Sequence, residues 1–150
     1  AAQNTFISST FWTEKIGSVA GLSTINTMSE LKSWKIIDEI GSNIKKTWKE
    51  ISRSTGVPIK ISGLNSLAQF KIISKKSNAY KTLITQEMLK KNILATDCVY
   101  VCIDHKDNLL KKYYENLEKI FKMIKKCEEG SNINDFLDSP ESIVGLPRLN

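Results

Sequence analysis

Between Ser33 and Ile73 the spacing of apolar residues switches from the period of a helix to that of a strand, and this switch limits the folds open to the chain. Ile37, Ile40, Ile44, Trp48 and Ile51 are separated by steps of 3, 4, 4 and 3, which sets them on one stripe of an amphipathic helix. Lys35, Lys45, Lys46 and Lys49 fall on the wet side. Gly56 suits the position just past a helix end, and Pro58 discourages continuation. From Val57 the period is two. Val57, Ile59 and Ile61 alternate with Pro58, Lys60 and Ser62; after Gly63 to Ser66, Ala68, Phe70 and Ile72 alternate with Gln69, Lys71 and Ile73. Two half-buried strands joined as a hairpin are expected, the first near a sheet edge because proline cannot donate to a ladder.

A second stripe, Leu110, Tyr113, Leu117, Ile120 and Ile124, predicts a last helix that Asp104 or Asp107 caps and Gly130 ends. Its lysines, among them Lys111, Lys112, Lys119 and Lys122, line the other face. Tyr80, Ile84 and Met88 predict a helix behind Asn78 as its cap. The run Cys98 to Ile103 has no polar face and reads as a central strand covered on both sides. Ahead of all these, Thr13 as cap and Glu14 in the first turn introduce a small-residue helix from Ile16 to Met28. The order helix, helix, strand, strand, helix, strand, helix predicts an α+β fold: a small, mostly antiparallel sheet with helices packed on one face. Residues 1–12 read as an N-terminal arm, 13–130 as the α+β domain, and 131–150, with Pro140 and Pro147, as a loosely docked tail.

The 150 residues, 41% hydrophobic and 25% charged, suffice for one cored domain and exclude disorder of the whole chain. The longest apolar run, Cys98 to Ile103, is far short of the ~20 residues of a membrane helix. Ala1 to Ser9 lacks the basic flank and apolar stretch of a signal peptide. The sparse, odd set of cysteines, Cys98, Cys102 and Cys127, suits free thiols in a reducing, cytoplasmic compartment. The net charge is +6, and Lys32 to Lys76 holds ten basic residues against Asp38, Glu39 and Glu50, a local balance of +7. A stand-alone basic module for RNA or an acidic protein is therefore the alternative reading. Against a nucleic-acid partner stands the scarcity of arginine, the bidentate reader of phosphate and guanine: only Arg53 and Arg148 occur.

Tests for catalytic chemistry find little. His105 with Asp104 and Asp107 sits at a strand-to-helix turn, where sequence neighbours do not converge on one ion, so no metal is expected. Cys98 and Cys102 on an apolar strand read as small core residues. No glycine-rich phosphate loop occurs. No lysine falls at a position expected to be buried, as a Schiff-base lysine requires, so no catalytic residue is assigned. Ser8-Ser9-Thr10 stands before a helix, where hydroxyls and free N–H groups serve either as a cap or as an anion site.

One further pattern spans nearly the whole chain. It comprises Phe6 to Glu14 (FISSTFWTE), the small-residue helix Ile16 to Met28, Ile40-Gly41 with Trp48, Ile61-Ser-Gly-Leu64, Thr85-Gln-Glu-Met88 and Cys102-Ile-Asp-His105. In this order it resembles the C-terminal part of class III (fold type I) aminotransferases that use pyridoxal phosphate, in the glutamate-1-semialdehyde aminomutase-like branch. The resemblance implies the small C-terminal domain of such an enzyme. It implies that Ser9 and Thr10 match a hydroxyl pair that crosses a dimer interface to the cofactor phosphate held by the other subunit. It also implies an upstream large domain with the Schiff-base lysine, a second identical subunit and a small-molecule amino donor and acceptor, and an inactive chain when these are missing. Phe11 to Lys15 depart from the family's small residues and Asn-Pro, which assigns Trp12 to the substrate pocket or the subunit interface. The family's arginine for a substrate carboxylate has no match in the strands.

Overall fold

A computed structural model describes residues 14–142. The chain divides into two units, Ala1–Trp34 and Lys35–Asn150. In the first, helix α1 runs from Ile16 to Leu31, one turn beyond Met28, and Lys15 rather than Thr13 stands at its N-cap. Thr13 lies outside the described residues. Among the described residues no side chain caps this helix start, and Lys32 ends α1 in the left-handed conformation (φ 49) with its N–H on the Met28 and Ser29 carbonyls. Ile16, Val19, Leu22, Ile25 and Met28 are all exposed. Their steps of three carry the apolar row around the helix instead of along one face, so α1 has no single wet side.

The second unit is built on helix α2 (Ser33–Thr55) from Lys35 onward, strands β1 (Ile59–Ser62) and β2 (Leu67–Ile72), helix α3 (Ser77–Leu89), strand β3 (Cys98–Tyr100) and helix α4 (Asp107–Glu128). The expected stripe of α2 is the buried one: Ile44, Trp48 and Ile51 are in the core. Gly56 adopts φ +70, and Val57 donates its N–H back to the Ser52 carbonyl at 3.2 Å, closing the helix as a left-handed cap does. The hairpin forms with Ile59 opposite Ile72 and Ile61 opposite Phe70.

The sheet is antiparallel throughout, in the order β1-β2-β3. Ile59, Ile61, Ala68, Phe70, Ile72 and Val99 share the covered face and belong to the core or pack against it. Lys60, Ser62, Gln69, Lys71 and Tyr100 share the open face and are exposed. The architecture is thus the expected α+β one, with helices on one side. The place of Cys98 to Ile103 is not the expected one. Only three of these residues form a strand, that strand lies at an edge, and Tyr100 is 76% exposed. A strand is covered on both sides only when elements pack on both faces of its sheet; β2 holds the centre, and the core lies on one face.

Two caps also differ from expectation. Asn78 lies inside the first turn of α3 and gives its side chain to the Ser142 carbonyl, while Lys76 takes the cap. Lys106 stands at the cap of α4, which leaves Asp107 in the first turn, where a carboxylate favours the helix dipole. Beyond α4, Gly130 adopts φ +124 and a short turn at Ile133–Asp135 buries Ile133 in the core. Gln86 clasps the segment that follows, donating to the Phe136 carbonyl (2.9 Å) and accepting from the Asp138 N–H (2.7 Å). Among the described residues no helix is long and apolar enough to cross a membrane.

Tyr80 and Ser74 both donate hydroxyl hydrogen bonds to the Glu128 carboxylate, which ties the start of α3 to the end of α4. The Tyr80 hydroxyl, and then Ser74, hold that carboxylate below its usual range. Burial, and then Glu128, push the Tyr80 phenol well above its own. A depressed carboxyl stabilises the fold above its unfolded pKa, and the gain is lost as pH falls through the folded value. Glu128→Gln is therefore expected to lower the unfolding free energy at neutral pH, by under about 1 kcal/mol because the group is exposed. Urea titrations should show the two proteins converging in acid; a gap that persists there would contradict this role.

Candidate functional site

The edge position of β3 leaves a cleft beside it in the second unit. After α3, Asn92 adopts φ 57 and Ile93 returns its N–H to the Met88 carbonyl at 3.0 Å. The chain then doubles back to β3, where Phe70 N–H meets the Asp97 carbonyl at 2.9 Å and Val101 N–H meets Ser66 at 3.0 Å. The cleft beside it measures about 760 Å³. Ile93, Leu94, Ala95, Val99 and Leu109 supply an apolar lining, with Cys98, His105, Lys112 and Tyr113 among them. Leu94 is 90% exposed, whereas Tyr113 is buried and accepts a hydrogen bond from the Trp48 indole N–H at 3.0 Å.

The polar groups of this cleft are not arranged for covalent chemistry. His105 Nδ1 accepts the Cys102 backbone N–H at 3.0 Å, and the His105 N–H returns to the Cys102 carbonyl at 3.2 Å. The imidazole thus closes a turn on the main chain of Cys102 and not on its sulfur. Cys98 is half-buried, Cys102 exposed and Cys127 buried, with burial pushing the Cys127 thiol up. A thiol so placed is a poor thiolate and a poor nucleophile. None of the lysines is buried; Lys45 and Lys125 are half-buried and the rest exposed. The desolvation that would lower a lysine pKa for Schiff-base chemistry is therefore not provided within this chain. The cleft is an exposed, largely apolar surface in which no nucleophile and base are paired.

Ser9, Thr10 and Trp12, the residues that the sequence singles out, lie outside the described residues. The helix that follows them fits an anion in one respect: among the described residues no side chain caps the first turn of α1 and none of its residues is acidic, so its N–H groups keep their positive end. Leu94, Tyr100 and Leu109 form exposed apolar surface beside the cleft; of these, Tyr100 belongs to the apolar run Cys98 to Ile103, whose lack of a polar face predicts burial on both sides.

The fold and the cleft define an α+β domain whose sheet is open on one face. No protein-family model and no curated protein matches the chain. A solved structure of the FumI protein of Sphingopyxis sp. MTA144, in its PLP internal aldimine form, is similar to 89% of this chain with a TM-score of 0.74 and 13% sequence identity. The chain covers 33% of the length of that protein. At this identity the likeness establishes the fold: this chain has the fold of one part of a larger, PLP-containing protein.

Proposed function

We propose that the chain acts as the C-terminal domain of a pyridoxal-phosphate-dependent aminotransferase or aminomutase of class III, in the glutamate-1-semialdehyde aminomutase-like branch, working in the cytoplasm. The observation that carries this reading is the fold likeness to one third of a PLP protein over 89% of this chain. The ordered pattern from Phe6 to His105 supports it independently. In the assembled enzyme Ser9 and Thr10 donate hydroxyl hydrogen bonds to the cofactor phosphate across the dimer interface. The N–H groups at the start of α1, which no described side chain caps, add a positive helix end to that environment. Trp12 shapes the substrate pocket or packs between subunits.

Pyridoxal phosphate, when bound, supplies an electron sink for the amino-bearing carbon of the substrate. The lysine that holds it, the aspartate at its ring nitrogen and the stacking aromatic belong to the upstream large domain. The chain by itself is accordingly inactive. In the full-length enzyme Thr10→Ala is expected to weaken retention of pyridoxal phosphate by ~1.5–3 kcal/mol, the worth of a charge-assisted hydrogen bond. Retention of unphosphorylated pyridoxal should not change. Equilibrium dialysis with both compounds checks this; equal losses for the two, or none for either, would remove Thr10 from the phosphate site.

A further inference from the structure

A groove of about 500 Å³ runs between α2 and β1, on the side of the sheet away from the β3 cleft. Two hydrogen bonds set its geometry. Lys45 Nζ donates to the Gly63 carbonyl at 2.7 Å at one end, and Ser52 Oγ donates to the Val57 carbonyl at 2.6 Å at the other. Helix and strand therefore run in opposite directions along the groove. Lys45, Lys49 and Arg53 line it from the helix, Ile59 and Ile61 from the strand, and no acidic side chain does. β1 is an edge strand, so alternate N–H and C=O groups on its outer side have no strand to pair with among the described residues.

The spacing of the cations matches an added strand. Residues four apart on a helix rise about 6 Å, and same-face residues of a strand repeat at about 6.6 Å. A strand laid beside β1 would point every second side chain to the helix side, level with Ile59 and Ile61, where the three cations stand. Those positions favour carboxylates. Most of the chain's positive balance lies in this stretch, from Lys32 to Lys76.

We propose that the β1 edge takes up an acidic, extended polypeptide segment of a partner protein as a fourth strand, with acidic side chains at alternate positions meeting Lys45, Lys49 and Arg53. The main-chain ladder supplies register and the cations supply selectivity. This does not depend on the cofactor reading.

The test is fluorescence anisotropy of the full chain with a short labelled peptide of alternating glutamate and threonine. Saturable binding is expected. It should weaken at least about tenfold for a peptide with the same composition but its glutamates grouped at one end, and likewise when alternate peptide amides are N-methylated. The double variant Lys49→Glu/Arg53→Glu should lose about as much, with an unchanged urea midpoint, since both side chains are exposed. Equal binding of the N-methylated peptide would overturn strand addition. Equal binding by the variant would overturn the groove, and tighter binding of an oligouridylate than of the alternating peptide would make this a nucleic-acid surface instead.

Discussion

Trp48→Ala is expected to destabilise the second unit by about 4 kcal/mol, the largest loss from any single truncation in its core. Trp48 is fully buried and meets Phe70 edge-on with ring centroids 4.8 Å apart. Phe70 in turn meets Phe121 of α4 at 5.9 Å. One side chain of α2 thus joins the central strand to the last helix. Its indole N–H donates to the Tyr113 hydroxyl at 3.0 Å, which satisfies both polar groups in the interior. Tyr113→Phe isolates that part: it orphans the indole N–H and should cost about 1–2 kcal/mol. Urea unfolding of both single variants and of the double variant measures the coupling. A Trp48→Ala loss below about 1 kcal/mol would mean that the core closes without this ring.

Gly41→Ala is expected to destabilise by about 3 kcal/mol, against the direction of helix propensity. A methyl group on Gly41 would lie 1.9 Å from the Asn65 carbonyl oxygen and 2.5 Å from its carbon. These are backbone atoms of the hairpin turn, so no rotamer change relieves the clash. Asn65 also donates to Asp38 at 2.8 Å, which fixes the turn against α2. On propensity alone alanine would gain about 1 kcal/mol over glycine in a helix interior. Gly21→Ala in α1 provides the contrast, because nothing lies within 4 Å of a methyl group there; its helical circular dichroism should hold or rise. A Gly41→Ala protein as stable as the parent would show that α2 and the turn are not in contact as described.

The apolar spacing over 37–51 and 110–124 identified the faces of α2 and α4 that are buried, and the alternation from Val57 to Ile73 identified both strands of the hairpin. Gly56 and Gly130 marked helix ends because their left-handed backbones are a local requirement. The role proposed for Ser9 and Thr10 rests on resemblance, since hydroxyls before a helix serve caps as readily as anions.

Periodicity records which side of an element is turned from water, and it needs only neighbours in sequence to do so. It does not record what lies opposite. The edge place of β3, the clasp of Gln86 on Phe136 and Asp138, the carboxylate shared by Tyr80 and Ser74, and the approach of Asn65 to Gly41 all join residues 24 to 54 positions apart. Packing chose those partners. The amino-acid order determined the elements and the covered face of the hairpin; tertiary structure alone decided which edges stayed open, and with them the surfaces left exposed.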